Sequence, residues 1–390
     1  MKYVKLGDVC EFINGDRGKN YPSSKDFVDK GIPFINAGHI QNNDISFENM
    51  NYISKEKFNK LGSGKVKKND ILYCLRGSLG KNAIVNIEEG AIASSLVILR
   101  SKTEDIDVNY LIKYLNSNYI KEQILKYNNG SSQPNLSAAS VKNFNIYLPN
   151  YEIQKEISRI LDKAQQLIDK RKEQIEALDE LVKSKFIEMF GNYFKNKEHF
   201  YSLMETCNFI DYRGKTPEKS ESGITLITAK NVKSHIFSFE PREYIPEENY
   251  EEIMTRGIPM VNDILFTTEA PLGNVCRIPK IEGKFCVGQR LITMQPKENI
   301  VSEYLEYALL SEEFQREMWK VSSGSTVKGI RSKELVKLKV PVPPIELQNK
   351  FADFVKYTDK LKFEMEKSLK ELEDNFNSLM QKAFKGELFD

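Results

Sequence analysis

The stretch from residue 151 to residue 191 constrains the fold most strongly, because its apolar residues recur every three or four positions. This spacing is the signature of a helix in a coiled coil. Pro149 and Asn150 precede the stretch and Gly191 follows it, which predicts a helix that ends at the glycine. Such a helix is roughly 60 Å long, much longer than one globular core requires.

A second stretch of the same kind begins at residue 344 and continues almost to the C-terminus. Neither helix can bury its apolar stripe alone, so we predict that the two helices pair with each other. The alternative is two separate surface helices, each packed on its own domain. The predicted stripe of the first helix is Ile153, Ile157, Ile160, Ala164, Leu167, Arg171, Gln174 or Ile175, Leu178, Leu181 or Val182, Lys185 or Phe186, and Met189. That of the second is Leu347, Phe351, Phe354, Thr358, Leu361, Met365, Leu369, Leu372, Phe376, Leu379 and Ala383.

The chain also contains an internal repeat that includes both helices. Residues 69–72 and 262–265 both read Asn-Asp-Ile-Leu, and Gln154 at the start of the first helix corresponds to Gln348 in the second. The corresponding positions are separated by nearly constant distances along the chain, which indicates a tandem duplication with small loop insertions. The predicted repeat unit is one globular domain followed by one long helix.

Each globular segment alternates short β-branched runs with Gly, Asn and Asp turns and has one helical stretch, at 108–126 and 302–320. This pattern predicts a mixed α/β fold. The predicted architecture is two repeated recognition domains, 1–150 and 192–343, separated by antiparallel coiled-coil helices 151–191 and 344–390 around a pseudo-two-fold axis.

Composition excludes several classes of protein. The 390 residues carry a formal net charge of +2, five Cys without a CxxC pair, and three widely separated His. These counts predict free thiols in a reducing cytoplasm and no zinc site. No apolar run is long enough to span a membrane.

Catalytic motifs are also missing from the sequence. It contains no GxxxxGK[ST] loop, no GxGxxG and no GxSxG. A weak nuclease-like pattern consists of Asp263, Glu282 and Lys284, a set that could hold Mg²⁺ beside a lysine. A simple β-turn at Gly283 explains the same residues. We therefore expect a non-catalytic chain, with a magnesium-dependent nuclease as an alternative.

Polar loops are the better candidates for a binding site, because hydroxyls, amides and cations bind phosphates and base edges. The candidate DNA-binding residues of the first repeat are Arg17, Lys19, Lys65, Lys67, Lys68, Arg76, Lys81, Asn82, Ser131, Ser132, Gln133 and Asn135. Those of the second repeat are Arg213, Lys215, Lys230, Asn231, Gln289, Arg290, Ser325, Thr326 and Lys328. Taken singly, each could also be a solvated turn.

Together these features resemble the specificity subunit of type I restriction–modification enzymes. The resemblance covers the whole chain and rests on the duplicated plan, the opening Lys-Leu-Gly-Asp-Val-Cys at 5–10 and the helix entries at 148–154 and 342–348. These entries are similar to the family's Pro-Pro-x-x-Glu-Gln run. However, one residue separates Glu from Gln here, and Asn150 replaces the second proline of the first copy.

The resemblance implies a subunit that reads a bipartite DNA sequence, one half-site for each domain, while the helices set the distance between the domains. It implies two modification subunits, which bind S-adenosylmethionine and methylate adenine, and restriction subunits, which use ATP and Mg²⁺ for translocation and cleavage. This chain would hold no cofactor. We expect the modification subunits to dock on apolar positions outside the helix seam, namely Phe186, Phe190, Phe384, Leu388 and Phe389. An adaptor that holds two non-DNA ligand-binding domains apart remains the alternative from another functional class.

Overall fold

The computed structural model describes residues 3–127, 136–197, 199–212 and 217–389. The chain divides into two compact units. The first unit combines Met1–Lys172 with Lys367–Asp390, and the second consists of Glu173–Glu366. Each unit therefore contains one globular segment together with parts of both long helices.

The first globular segment is mixed α/β, as predicted. Its strands are β1 (Tyr3–Lys5), β2 (Cys10–Asn14), β3 (Phe27–Val28), β4 (Ile32–Ile35), β5 (Ile40–Gln41), β6 (Asp44–Ile45), β7 (Asn51–Ile53), β8 (Ile71–Cys74), β9 (Asn82–Ile84), β10 (Ala91–Ile92), β11 (Leu96–Ser101) and β12 (Asn145–Tyr147). Its helices are α1 (Leu6–Val9), α2 (Lys55–Lys60), α3 (Val108–Leu115), α4 (Asn118–Tyr127) and α5 (Ala138–Lys142), and α6 (Tyr151–Asn196) follows.

The second globular segment repeats this plan. Its strands are β13 (Phe200–Ser202), β14 (Cys207–Asp211), β15 (Ile224–Ile227), β16 (Val232–Lys233), β17 (Ile236–Phe237), β18 (Tyr244–Ile245), β19 (Ile264–Thr267), β20 (Val275–Arg277), β21 (Phe285–Val287), β22 (Leu291–Pro296) and β23 (Lys339–Pro341). Its helices are α7 (Leu203–Thr206), α8 (Tyr250–Ile253), α9 (Ser302–Leu310), α10 (Glu312–Val321) and α11 (Ser332–Leu335), and α12 (Ile345–Lys385) follows.

Sheet topology confirms the internal repeat. The central sheet of the first unit has the order β2-β11-β8-β9, and that of the second has the matching order β14-β22-β19-β20. All neighbouring strands in both central sheets are antiparallel. A second sheet in each segment contains one parallel pair, β4 with β10 and β15 with β21. The duplication therefore extends to strand order and direction.

The predicted helices at 108–126 and 302–320 are each broken into two. Asn116 and Ser117 separate α3 from α4, and Ser311 separates α9 from α10. The hydroxyl of Ser311 accepts from the N–H of Phe314 at 3.3 Å and so caps the second helix of its pair. A small polar residue that satisfies the new helix start explains the break, which periodicity alone does not reveal.

The two long helices pack against each other in antiparallel orientation within each unit. In the first unit, Ile157 and Leu161 of α6 share a buried cluster with Phe384 of α12, whereas Lys172 lies 3.1 Å from Glu373. Because the later position on α6 meets the earlier position on α12, the helix directions are opposed. In the second unit, Lys362 donates to Asp179 at 2.7 Å, and Phe351 packs near Phe190.

The apolar stripe predicted for α12 is confirmed, since Phe351, Thr358 and Ala383 are buried. Two positions on α6 differ from the prediction. Leu161 and Ile168 are buried instead of Ile160 and Leu167, and Leu167 is 55% exposed. Adjacent apolar residues leave the choice of buried side chain open in the sequence, and only packing against the partner helix selects one.

Helix α6 continues five residues beyond the predicted end at Gly191, to Asn196. Phe190 and Phe194 are both buried in the core of the second unit, on either side of the glycine. Burial of one Phe side chain contributes about 1.5–3 kcal/mol, whereas glycine inside a helix costs about 1 kcal/mol. Packing therefore outweighs the helix-breaking tendency of Gly191.

Each helix entry is held by a buried glutamine. The side-chain oxygen of Gln154 accepts from the N–H of Asp107 at 3.0 Å, and its amide donates to the carbonyls of Asp105 and Pro149 at 2.7 and 2.9 Å. Gln348 makes the equivalent three bonds, accepting from Val301 and donating to the carbonyls of Asn299 and Pro343. These bonds tie the helix start to the loop before α3 or α9, so they fix the direction in which each helix leaves its globular segment.

Candidate nucleic-acid interface

One end of the central sheet gathers several of the predicted loops in the first unit. Asn14 at the end of β2 pairs with Val97 near the start of β11, and β8 ends beside the same point. Because β2 and β8 are both antiparallel to β11, they finish at the same end of the sheet. We call this end, from which the loops after β2 and β8 leave, the loop end. Arg17, Lys19 and Arg76 follow these strands and are exposed.

The loop that carries Arg17 is held by an aspartate. The carboxylate of Asp16 accepts from the N–H of Gly18 at 2.7 Å and from the N–H of Gly62 at 2.8 Å. These bonds, first of all the one from Gly18, lower the pKa of Asp16, so its carboxyl group stays ionised. The fixed aspartate therefore joins the loop that carries Arg17 to the loop that carries Gly62.

Lys81 lies at the same loop end, but Asn82 does not contribute to a binding surface. The Asn82 amide donates to the Gly80 carbonyl at 2.8 Å and to Asn116 at 2.9 Å, and its oxygen accepts from Asn116 at 3.2 Å. Only 1% of Asn82 is exposed. Its prediction as a DNA-binding residue is wrong, because these internal bonds already occupy its polar atoms. Lys81 is exposed and lines a cleft of about 260 Å³.

Lys67 and Lys68 are not brought to the loop end. The N–H of Lys67 donates to Asp70 at 2.7 Å, and Asp70 pairs with Arg100 near the far end of β11. Lys68 lies 3.6 Å from Glu88, and Lys65 donates to a backbone carbonyl, that of Asn59, at 3.1 Å. Lys67 and Lys68 therefore do not share one surface with Arg17 and Arg76, whereas Lys65 follows Gly64, which packs against Gly15 at the loop end.

Several predicted residues lie outside the described part of the chain, namely Ser131, Ser132, Gln133, Asn135, Arg213 and Lys215. Leu136 is the first described residue after 127, and its N–H donates to the carbonyl of Leu75 at 2.9 Å. Leu136, two residues before α5, therefore lies at the loop end of the first central sheet.

The second unit has the same arrangement. Thr267 at the end of β19 pairs with Leu291 at the start of β22. The N–H and hydroxyl of Thr268 donate to the carbonyl of Arg290 at 3.0 and 3.1 Å, and the N–H of Ile330 donates to the carbonyl of Thr268 at 3.0 Å. Ile330 thus takes the place that Leu136 has in the first unit, so both repeats bring the same three chain segments together.

A small closed loop lies next to this junction. Ser323 and Gly329 exchange two backbone hydrogen bonds of 2.9 Å, and Ser325, Thr326 and Lys328 between them are all exposed. Gly324 has φ +110°, and a Cβ at this position would lie 2.0 Å from the carbonyl oxygen of Val327. The loop therefore requires glycine at 324 and presents two hydroxyls and one cation on a constrained backbone.

Two adjoining cavities of about 390 Å³ each flank the loop end of the second unit. Both are lined by Gln289 and Arg290, the first also by Lys219 and Lys230, and the second also by Arg331. The sequence prediction identified Lys230, Gln289 and Arg290 but missed Lys219 and Arg331. No motif marks these two residues, and only strand pairing brings them to the same surface.

Acidic side chains hold part of this cluster in place. Glu243 lies 2.7 Å from Lys219 and 3.0 Å from Lys230, and the hydrogen bond with Lys219 is the main cause that lowers the pKa of Glu243. Arg290 lies 3.0 Å from Glu269. The lysines and the arginine are more than half exposed, so these contacts orient the cations without removing them from solvent.

Asn231 is a structural residue rather than part of the surface. Its oxygen accepts from the N–H and hydroxyl of Thr228 at 2.9 and 3.0 Å, and its amide donates to the carbonyls of Ser238 and Pro241. With 4% of the residue exposed and both ends of the amide bonded, its predicted contact with DNA is wrong.

The predicted docking residues are mostly core residues. Phe186, Phe190 and Phe384 are at most 5% exposed. The Phe384 ring lies 5.4 Å from that of Tyr110, and the Phe190 ring lies 4.7 Å from that of Tyr304. Their predicted exposure is wrong, because Phe186 and Phe190 also pack on Phe351 of α12 and Phe384 packs on α3. Leu388 is half-buried, and Phe389 is 50% exposed.

Other large apolar side chains on the helices are exposed instead. Within the second unit these are Leu181 and Ile187 on α6 and Tyr357 and Phe363 on α12, which are 50–69% exposed. The sequence pattern assigns them to the outer face only once the buried stripe is known.

The residues of the nuclease-like pattern make other contacts. Asp263 accepts from the N–H of Met260 and from the side-chain amide of Gln295, both at 2.8 Å, and burial raises its pKa. Lys284 lies 3.6 Å from Glu251. Across the described ranges, no group of three or more His, Cys, Asp or Glu side chains is placed to hold a metal ion.

Comparison with known proteins identifies the family. The sequence model described as "Type I restriction modification DNA specificity domain" matches residues 1–178 and 215–374, which together make up most of the chain. The chain belongs to the type I restriction–modification specificity subunits. This result confirms the resemblance seen in the duplicated plan and the helix entries.

Individual specificity subunits are similar along nearly their whole length. The MjaVIII specificity subunit of Methanocaldococcus jannaschii is 25% identical, over 92% of this chain and 86% of that protein. The EcoKI specificity subunit of Escherichia coli is 22% identical, over 98% of this chain and 88% of that protein. The crystal structure of the HsdS subunit from Thermoanaerobacter tengcongensis has a TM-score of 0.51 at 18% identity and covers 99% of this chain and 97% of that one.

A structure from work on the assembly and conformational transition of the type I system is also similar, with a TM-score of 0.62 at 19% identity over 99% of this chain and 98% of that one. These likenesses support the fold of a specificity subunit. Among the described helices, none is long and apolar enough to cross a membrane.

Proposed function

We propose that this specificity subunit reads a bipartite sequence in duplex DNA, with one half-site at the loop end of each central sheet. The observation that carries the proposal is the repeated junction at these ends, where Leu136 and Ile330 take equivalent places beside β8 and β19. Two equivalent polar loop clusters on one chain match a target made of two short blocks separated by an unspecified gap.

The residues divide into two roles. Cations such as Arg17, Arg76 and Lys219 are exposed and lie on loops, and the exposed Lys230 lies in the short 3-10 helix Ala229–Asn231, so they suit phosphate contacts that fix the position of the duplex. The hydroxyls of Ser325 and Thr326, with the amide of Gln289 and the guanidinium of Arg290, suit hydrogen bonds to base edges. Phosphate contacts determine affinity, and contacts with base edges determine sequence.

The proposal includes partner subunits. Two modification subunits would bind S-adenosylmethionine and methylate adenine, and restriction subunits would use ATP and Mg²⁺, so this chain would hold no cofactor and catalyse no step. The exposed apolar positions on α6 and α12, such as Ile187 and Phe363, are the surfaces we assign to modification subunits. Unpartnered apolar side chains on a charged helix face are typical of a docking site.

The helices would set the gap between the two half-sites. Insertion of one heptad into both α6 and α12 lengthens each helix by about 10 Å, so the gap should widen by about three base pairs. Both specified blocks should remain unchanged. A fixed gap in that variant would show that the helices do not determine the spacing.

Methylation mapping tests the central proposal. Cells that express this chain with its modification subunits should methylate a bipartite motif, and Ser325→Ala with Thr326→Ala should change the specified bases of one block only. Changes in both blocks, or in neither, would contradict the assignment of one half-site to each loop end.

A salt titration of duplex binding tests the phosphate contacts. Lys230→Ala should weaken binding to all sequences and reduce the slope of log affinity against log salt by about 1. Lys67→Ala removes the same charge at the other end of the first central sheet and serves as the matched control. If both substitutions change the slope equally, the loop ends are not the DNA-binding surface.

A further inference from the structure

A network of charged side chains joins the second central sheet to α12. Arg277, the last residue of β20, donates to Glu306 of α9 at 2.6 Å and to Asp359 of α12 at 2.9 Å. Glu306 is 1% exposed, and the Arg277 side chain is 19% exposed. A single guanidinium therefore bridges three elements of the second unit: the sheet, the helix that covers it and the long helix.

Neighbouring groups extend the network. His235, in the turn between β16 and β17, lies 3.3 Å from Glu306, and its ring stacks 4.2 Å from that of Tyr307. Glu303 is 4% exposed and lies 3.6 Å from Arg277 and 3.5 Å from Lys356 of α12. The long helix thus contributes one acid and one base to the network.

Electrostatics favour the charged form of the central residue. Burial alone would lower the pKa of the Arg277 guanidinium, but the charges of Glu306 and Asp359 outweigh burial and raise the pKa above its usual value. The guanidinium is planar and its donors have fixed directions, so its bonds to two carboxylates define an orientation as well as a distance.

The first unit has no charged pair at the positions of Arg277 and Glu306, although Lys113 of α3 lies 2.6 Å from Asp162 of α6. Ile84 pairs with Ile71 at the end of β9, as Arg277 pairs with Ile264 at the end of β20. The position that corresponds to Glu306, counted from the matching buried tyrosines Tyr110 and Tyr304, is Ile112, which is 6% exposed. The first repeat thus has Ile84 and Ile112 where the second repeat has Arg277 and Glu306, in the same fold.

This comparison indicates what the network contributes. A buried ion pair usually stabilises a fold no more than apolar side chains of similar volume would, whereas its bonds are directional. We propose that Arg277, Glu306 and Asp359 are positioning residues that hold the second recognition segment in one orientation on α12. The network would thereby restrict the spacing between half-sites that the subunit accepts. This inference rests on the proposed reading of bipartite DNA.

The test replaces the pair with the residues of the first repeat. Cells would express Arg277→Ile with Glu306→Ile, together with the modification subunits, and adenine methylation would be mapped across the genome. Methylation at sites whose gap differs by one base pair should rise about tenfold relative to the wild-type chain, which corresponds to about 1.4 kcal/mol of lost discrimination. The specified bases should not change.

Two further variants complete the test. Glu317→Ala with Lys320→Ala removes an exposed ion pair of the same unit and should leave the gap unchanged. Asp359→Asn removes the bond from Arg277 to α12, while the Arg277–Glu306 pair and the Glu303–Lys356 contact remain. It should relax the gap even if the double isoleucine variant does not fold.

The outcomes distinguish this inference from the proposed function. If the wild-type chain directs methylation to no bipartite motif, the proposed function fails. If the wild type has a fixed gap and both the isoleucine and Asp359→Asn variants keep it, the network is only a packing feature and the inference is overturned. A changed base sequence in the variants would also overturn it.

Discussion

Replacing Gln348 with leucine should destabilise the second unit through the loss of three buried hydrogen bonds. The side chain is fully buried and bonds the N–H of Val301 at 2.9 Å and the carbonyls of Asn299 and Pro343 at 3.2 and 2.8 Å. Leucine has a similar volume but no polar atoms. The substitution therefore leaves one N–H group and two carbonyls without this partner.

The expected magnitude follows from the number of bonds. A neutral hydrogen bond contributes about 1 kcal/mol net, so three bonds give a loss of about 3 kcal/mol in the free energy of unfolding. For a unit of this size, 1 kcal/mol corresponds to about 2–4 °C, so the melting temperature should fall by about 6–12 °C.

Tryptophan fluorescence during urea unfolding measures this loss. The chain has a single tryptophan, Trp319, which lies in the second unit, so its signal reports that unit. Asn349→Leu is the matched control, because this neighbouring side chain is exposed and the same leucine is introduced. It should change the free energy of unfolding by less than about 0.5 kcal/mol.

The result that would refute this reasoning is a loss below about 1 kcal/mol for Gln348→Leu with an unchanged urea dependence. Such a result would mean that water or a rearranged backbone satisfies the three groups at little cost. Gln154→Leu, measured by circular dichroism, should give a loss of similar size in the first unit, since its three bonds are equivalent.

Three further predictions concern a carboxylate, a core aromatic and the outer helix face. Gln295→Arg should place a guanidinium on Asp263, as Arg100 lies on Asp70 in the first repeat, and stabilise the second unit by about 1–2 kcal/mol at pH 7. Burial raises the pKa of Asp263 in the wild type, so the cost of its charge is present at neutral pH and disappears as the carboxyl is protonated. The introduced arginine would lower the pKa of Asp263. The increase in the free energy of unfolding, measured in urea, should therefore shrink as the pH falls through the Asp263 titration, and an increase that does not depend on pH would contradict this prediction. Phe384→Ala should cost about 3–5 kcal/mol by thermal melting of the first unit, because the ring is fully buried, and a loss below about 1 kcal/mol would show that the site collapses freely. Tyr357→Ser with Phe363→Ser should weaken co-purification of modification subunits without changing the melting temperature, and equal effects on both measurements would assign these side chains to the core.

Sequence patterns predicted the helices and the repeat because both depend on local spacing. The stripe of α12 from Leu347 to Ala383 follows a helical period that can be counted directly along the sequence. Matched segments such as 69–72 and 262–265 likewise predicted two domains of one plan, and the central sheets confirm it. The exposed loop residues Arg17, Arg76, Lys230 and Arg290 were also found, since polar residues between apolar runs indicate loops.

The errors arise where a distant part of the chain determines burial. Phe186 and Phe190 pack on Phe351 of α12 as well as on the globular segment, and Phe384 is covered by the globular segment of the first unit. Asn82 and Asn231 have the composition of binding residues, but partners elsewhere in the fold use their polar atoms. Spacing within a helix or loop contains no information about such partners.

The sequence by itself determined the two long helices and the repeated α/β plan, because backbone propensity and apolar period act over a few residues. Tertiary structure alone decided which side chains share a surface. Lys219 and Arg331 are far apart in the chain but line adjoining cavities. Lys219 precedes β15, which pairs with β21, and Arg331 follows Ile330, whose N–H donates to the carbonyl of Thr268. Arg277 likewise bonds Asp359 of α12 only because folding brings together residues that are 82 positions apart in the chain.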